Sequence, residues 1–62
     1  MSSLGNRIKS LRKTKKLTQK EFGDIFKLGE STISMYERDE RKPDYEILQK
    51  IADYFEVTTD FY

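Results

Sequence analysis

Apolar residues recur along this chain at the spacing of an α-helix. Leu4, Ile8 and Leu11 lie at positions i, i+4 and i+7, so they share one face of a first helix over about residues 4–14. The apolar positions of four later helices follow the same rule: Phe22, Ile25 and Phe26 in the second, Ile33 and Tyr36 in the third, Leu48, Ile51, Ala52 and Phe55 in the fourth, and Val57 and Phe61 in a short fifth. Alternation of period two, which is typical of strands, is absent from the sequence. The pattern therefore predicts an all-α fold of five helices.

Short polar residues mark where two of these helices begin. We expect the Thr18 hydroxyl to accept a hydrogen bond from the Glu21 N–H, and the Glu21 carboxylate to accept one from the Thr18 N–H, which together form a capping box. Leu17 before this cap and Phe22 after it complete a hydrophobic staple. Asp44, which follows the only proline, is the predicted N-cap of the fourth helix.

The second and third helices have the packing pattern of a helix-turn-helix. Gly23 lies one turn into the second helix, where a closely crossing helix leaves no room for a side chain. Ile33 comes ten residues later, on the inward face of the third helix. A small residue, a turn and a buried branched residue in this order are typical of the motif. The pattern of residues 19–38 therefore predicts a module that binds a specific DNA sequence.

Four motifs at fixed spacing extend this interpretation to most of the chain. They are LTQ at 17–19, STISMYER at 31–38, KP at 42–43 and LQKIA at 48–52. With them the chain resembles the phage-repressor-like helix-turn-helix regulators of the Cro and Xre type, and the resemblance runs over residues 8–61. It implies a compact five-helix, lambda-repressor-like bundle in which helices 2 and 3 form the helix-turn-helix. It also implies a transcriptional regulator, repressor-like, that binds an operator in double-stranded DNA.

Composition excludes several other classes of protein. The 62 residues include no cysteine and no histidine, so a disulfide, a thiolate nucleophile, an ordinary zinc site and a Ser-His site are all excluded. We expect no enzyme activity, no cofactor, no metal and no small-molecule substrate in this domain. The longest apolar runs are two residues, too short for a membrane span or a signal peptide. A soluble, cytoplasmic protein without a membrane partner is therefore predicted.

The charges are distributed unevenly, although the net charge is only +1. Residues 1–20 contain seven bases and no acid, residues 21–42 four bases and six acids, and residues 43–62 one base and five acids. One face of the molecule is therefore predicted to be basic, as in proteins that bind nucleic acid. Lys13, Lys15 and Lys16 either solvate a loop or contact phosphates, and their place just before the helix-turn-helix favours phosphate contact.

Side chains on the outside of the third helix are the candidates for reading bases. Because Ile33 and Tyr36 point inward, the exposed positions near the helix N-terminus are Glu30, Ser31, Thr32 and Met35. The resemblance implies that these positions face base edges in the major groove. Hydroxyl groups donate or accept there, and the Thr32 methyl suits a thymine methyl. Met35 either makes a similar apolar contact or simply faces solvent.

Glu30 has two interpretations, because a free carboxylate is repelled by phosphates. It either accepts a hydrogen bond from the amino group of cytosine or only interacts with the positive end of the helix dipole. We favour the dipole for stability and selective repulsion of incorrect DNA for function.

Phosphate contacts are predicted for six further residues: Gln19, Lys27, Arg38, Arg41, Lys42 and Lys13. Gln19 lies in the first turn of the second helix, at the position that relatives use for this purpose, where free backbone N–H groups add to its side chain. Arg38, Arg41 and Lys42 follow the third helix. Lys27 lies in the turn of the motif.

The resemblance also implies one ion pair that is structural. In relatives an arginine on the first helix pairs with the glutamate that follows the aromatic residue of the third helix. The matching residues are Arg12 and Glu37.

Four positions depart from the usual residues of this family. Glycine is usual at Lys27, Asp39 and Glu56, each at or just past the end of a helix, so a left-handed backbone is predicted there. Gly29 replaces the usual serine or threonine cap of the third helix, so it caps with its backbone only.

Two copies of the chain are predicted to act together. One small module recognises few base pairs, so we expect a homodimer, at least on DNA, at an inverted-repeat operator with half-sites about 34 Å apart. The apolar side chains most available for a dimer contact are Tyr54, Val57, Phe61 and Tyr62. Alternatively, Val57 and Phe61 close the core of a monomer.

A second function on the same scaffold is a protein-interaction module, such as an antitoxin that holds its toxin. Glu30, Glu40 and the acidic last third of the chain favour it. The sequence ends at Tyr62, in the predicted fifth helix, where members of the family usually continue for a few apolar residues. We therefore expect 1–62 to be one domain, either shortened or the N-terminal domain of a longer regulator.

Overall fold

Residues 3–56 are described by a computed structural model and form four helices. They are α1 (Leu4–Thr14), α2 (Gln19–Ile25), α3 (Glu30–Glu37) and α4 (Tyr45–Phe55). The all-α prediction is confirmed for these residues, with four helices rather than five, and the predicted fifth helix lies outside them. None of the four is long and apolar enough to cross a membrane.

The predicted helix starts are confirmed. At α2 the Glu21 N–H donates to the Thr18 hydroxyl at 3.1 Å, and the Thr18 N–H donates to the Glu21 carboxylate at 2.8 Å. At α4 the Ile47 N–H donates to the Asp44 carboxylate at 2.9 Å. Gly29 caps α3 without a side-chain hydrogen bond, as its lack of a side chain requires.

Each of the four helices is followed, within two residues of its end, by a residue with a left-handed backbone, and none of these residues is glycine. The φ angles are 57° at Lys16, 59° at Lys27, 60° at Asp39 and 56° at Glu56. The prediction for the last three is confirmed, whereas Lys16 was not predicted. A left-handed non-glycine residue costs about 1 kcal/mol relative to glycine. The two lysines complement the negative end of a helix dipole, but Asp39 and Glu56 do not.

The core lies where α3 packs against both α1 and α2, with α4 closing it. Its buried side chains are Ile8, Phe22, Phe26, Ile33, Tyr36, Leu48, Ile51 and Ala52, and Leu4, Leu11, Leu17, Leu28, Ile47 and Phe55 pack around them. The prediction that Ile25 faces inward was wrong, since Ile25 is 38% exposed. At about 100° per residue, Ile25 lies about 80° from the mean direction of Phe22 and Phe26, so it is at the edge of the buried face rather than at its centre.

Glycine is required at two close approaches of the backbone. A Cβ on Gly23 would lie 2.6 Å from the Leu28 carbonyl oxygen, so the close neighbour is the turn before α3 rather than the helix itself. A Cβ on Gly5 would collide with the Tyr36 carbonyl oxygen and lie 2.7 Å from that of Glu37. The first approach fixes the turn of the helix-turn-helix, and the second seats α1 against the last turn of α3.

Gly23→Ala should destabilise the protein, because the new methyl group forces the turn before α3 to move. The expected loss is about 1–3 kcal/mol of unfolding free energy, measured by urea denaturation. Gly29→Ala is the matched control, since its Cβ would meet nothing nearer than the Ser31 hydroxyl at 3.9 Å. A loss for Gly23→Ala no larger than that for Gly29→Ala would contradict the close-approach explanation.

Candidate DNA-binding surface

The outer face of α3, which we define as Glu30, Ser31, Thr32, Ser34 and Met35, contains the predicted base-reading residues. Glu30 and Ser31 are exposed, and the other three are half-buried. The inward prediction for Ile33 and Tyr36 is confirmed, since these residues are 0% and 5% exposed. Within residues 3–56 no hydrogen bond or ion pair occupies the side chains of Glu30 or Ser31. Both therefore remain available for an external partner.

Helix geometry places Ser34 on the same stripe as two of the predicted residues. Ser31, Ser34, Met35 and Arg38 lie at positions i, i+3, i+4 and i+7, which share one side of a helix. Glu30 and Thr32 then lie on the two flanks of that stripe. Ser34 was not among the predicted base-reading residues, although the helical period alone is a sufficient signal to include it.

A buried ion pair joins α1 to α3. The Arg12 Nε donates to Glu37 Oε2 at 2.6 Å, and the Arg12 Nη2 donates to Glu37 Oε1 at 3.1 Å. The two side chains are only 11% and 3% exposed. The Arg12 Nη1 also donates to the Leu17 carbonyl oxygen at 2.8 Å, which ties in the loop before α2. Charge-assisted bonds of this bidentate kind are directional, so they fix the end of α3 relative to α1.

Gln19, one of the predicted phosphate ligands, belongs to the same network. Its side-chain amide Nε2 donates to Glu37 Oε1 at 3.1 Å. Glu37 therefore receives three hydrogen bonds, and within residues 3–56 no buried side-chain polar atom lacks a partner. The bond holds Gln19 in the first turn of α2 beside the end of α3 and leaves its second amide hydrogen for an external acceptor. No pattern in the sequence indicates this bond.

Three predicted phosphate ligands lie just after α3, and all three are exposed. Arg38 is the C-cap of the helix, and its Nη2 lies 3.2 Å from Glu40 Oε1. Arg41 comes three residues later. Burial raises the pKa of the Tyr36 phenol, the positive charge of Arg41 opposes that rise, and the negative charge of Asp44 adds to it. Lys42 follows. The three bases are thus grouped at the C-terminal end of α3.

Asp39 attaches this end of α3 to the start of α1. The Gly5 N–H donates to the Asp39 carboxylate at 3.0 Å. A hydrogen bond from the Ser3 side chain and this backbone bond lower the pKa of Asp39, and Lys42 contributes in the same direction. The carboxylate thus caps the positive end of α1, although it stands at the negative end of α3.

The remaining two phosphate candidates are also exposed. Lys13 lies in the last turn of α1, next to Arg12, and Lys27 lies in the turn between α2 and α3. Their assignment to phosphates stays a prediction.

Comparison with known sequences identifies relatives of the chain. The family model for Helix-turn-helix matches residues 8–62. The HTH-type transcriptional regulator ImmR of Bacillus subtilis (strain 168) is 41% identical over 59 residues, which are 95% of this chain and 46% of that protein. The uncharacterized HTH-type transcriptional regulator YqaE of the same strain is 35% identical over 54 residues, which are 87% of this chain and 47% of that protein. The chain spans about half the length of these two relatives.

A solved structure resembles this fold closely. The P22 c2 repressor, crystallised in complex with synthetic operator 9T, matches with a TM-score of 0.89 and 28% sequence identity, over 98% of this chain and 92% of that one.

Arg12→Met should destabilise the protein strongly, because it leaves the Glu37 carboxylate buried with Gln19 as its only side-chain donor. Removing one partner of a buried pair typically costs about 3–5 kcal/mol of unfolding free energy, and urea denaturation would measure this loss. Lys20→Met breaks the exposed pair with Asp24, at 3.3 Å, and serves as the control with an expected loss below about 1 kcal/mol. Replacing both partners, as in Arg12→Met with Glu37→Leu, should recover much of the loss. Equal small losses for Arg12→Met and Lys20→Met would show that the buried pair does not hold the fold.

Proposed function

This chain belongs to the helix-turn-helix family, and we propose that it is a repressor-like transcriptional regulator that binds a specific sequence of double-stranded DNA. The observation that carries the proposal is the outer face of α3, which is polar, exposed at its N-terminal end and held in place by the Arg12–Glu37 pair. Its relatives are named as transcriptional regulators, and the matching structure is a repressor on an operator. The chain covers about half of the curated relatives, so the proposal concerns this domain. Such a protein acts in the cytoplasm.

Base reading is the role of the outer face of α3 in the major groove. Ser31 and Thr32 supply hydroxyls that donate or accept at base edges, and the Thr32 methyl and Met35 supply apolar contacts for thymine methyls. Ser34 lies between Ser31 and Arg38 on the same stripe, so we add it to the base-reading set.

Phosphate contacts set the register of α3 in the groove. Gln19 and the free N–H groups at the start of α2 bind one strand, and Arg38, Arg41 and Lys42 bind beyond the end of α3. Lys27 and Lys13 are weaker contributors. These contacts add affinity but little sequence information.

The active form on DNA is a homodimer on an inverted repeat. Within residues 3–56, Tyr54 is a candidate for the dimer contact, because it is 42% exposed. Its ring packs edge-on against the rings of Phe26 and Phe55, with centroid distances of 5.8 and 5.0 Å. The other dimer candidates, Val57, Phe61 and Tyr62, lie outside the described residues.

Selection of binding sites from a pool of random duplex DNA, at 100 mM salt, tests the proposed function. We expect enrichment of an inverted repeat whose half-sites are about 34 Å apart. A dimer that neutralises about six phosphates should bind the selected duplex with a log–log salt slope near −5. Failure to enrich any sequence, with a shallow slope, would contradict the proposal and favour a protein partner instead.

Glu30→Gln should lower the specificity of binding. Removal of this carboxylate relieves repulsion by phosphates on any duplex, while the correct operator has already accommodated it. The affinity for a random duplex should therefore rise more than the affinity for the selected operator, as measured by fluorescence anisotropy. Equal changes in the two affinities would mean that Glu30 does not discriminate between sequences.

A further inference from the structure

Directly after α3, the Glu40 carboxylate forms an ion pair with Arg38, one of the basic residues proposed to contact DNA. The Arg38 Nη2 and the Glu40 Oε1 are 3.2 Å apart, and the two side chains are 59% and 55% exposed. Both groups are thus in contact with solvent, and the pair faces competition from any anion that approaches the end of α3. A DNA phosphate is such an anion.

The backbone between the two residues brings them together. Asp39, between them, has a φ of 60°, and the left-handed turn reverses the chain. The Glu40 N–H donates to the Met35 carbonyl oxygen at 2.9 Å, and the Asp39 N–H donates to the Tyr36 carbonyl oxygen at 3.1 Å. These are the two bonds of a Schellman motif. The Asp39 carboxylate also accepts from the Gly5 N–H at 3.0 Å, so the turn is fixed on a second side.

We propose that Glu40 is an internal competitor of DNA phosphate for the Arg38 guanidinium, and that it lowers the affinity of the protein for any duplex. This inference rests on the proposed function. When the protein docks, Arg38 exchanges a carboxylate partner for a phosphate partner, so only the difference between the two contacts contributes to binding. Because the exchange involves phosphate and not bases, it affects operator and random DNA alike, unlike the effect expected for Glu30.

Glu40→Gln isolates the competitor, and the probes are a random-sequence 20-base-pair duplex and the selected operator. An exposed ion pair of this kind corresponds to roughly a two- to fivefold change in an equilibrium constant. We expect Glu40→Gln to tighten binding to both duplexes by about this factor per bound copy, with the ratio of the two affinities unchanged. Anisotropy titrations at 100 mM salt measure both dissociation constants.

A double-mutant cycle separates exchange from simple repulsion of phosphates by Glu40. In an Arg38→Gln background, the tightening caused by Glu40→Gln should disappear, because the guanidinium that changes partner is gone. Persistence of the full tightening in that background would overturn the inference and leave direct repulsion as the cause. Arg38→Gln itself should bind both duplexes more weakly than the wild type, because the inference and the phosphate role of Arg38 both require this loss.

Glu46→Gln is the matched control for net charge. Glu46 forms an exposed pair on α4 with Lys50 at 3.6 Å, so the control removes the same charge and the same kind of pair away from α3. We expect it to change neither dissociation constant by as much as Glu40→Gln does. Equal effects of the two variants would also overturn the inference. If the wild type binds neither duplex, the proposed function fails, whereas normal binding with no effect of Glu40→Gln rejects the competitor alone.

Discussion

The pose of α3 depends on one buried carboxylate. Glu37 accepts two hydrogen bonds from Arg12 on α1 and one from Gln19 on α2, so the side chains of three helices meet at a single charge. In a chain of 62 residues the apolar core is small, and directional bonds of this kind determine orientation where apolar packing alone tolerates small rotations. The same network holds Gln19, so the proposed phosphate ligand on α2 and the proposed reading helix are positioned by a common group.

Local chemistry made much of the fold predictable from sequence. The capping box at Thr18, the cap at Asp44 and the left-handed residues that replace glycine depend on neighbours within a few positions, and each was confirmed. Apolar spacing identified the inward side of α3 for a similar reason. The environments of Gly5 and Ile25, by contrast, depend on contacts between distant segments. Nothing near Gly5 in the sequence indicates that α1 approaches the carbonyl groups of α3, and Ile25 could not be assigned until the direction of the core was known.

The candidate site was predictable in its residue types but not in its partners. The periodic pattern located the outer face of α3 and could have included Ser34. The contacts of Gln19 with Glu37 and of Arg38 with Glu40 depend on side-chain reach and on the turn at Asp39, which no linear pattern specifies. Carboxylates at the edge of this surface therefore have different roles. Glu37 orients, Asp39 caps α1, and Glu30 and Glu40 oppose the approach of phosphates in the proposed function.

Amide NMR can show whether the outer face of α3 docks on DNA. The selected duplex is titrated into ¹⁵N-labelled protein, and the shift of every backbone amide is followed. We expect the largest changes on residues 30–35 and on the first turn of α2, and little change on the solvent-facing side of α4 around Gln49 and Asp53. Changes centred on α4, with residues 30–35 unperturbed, would contradict docking through α3.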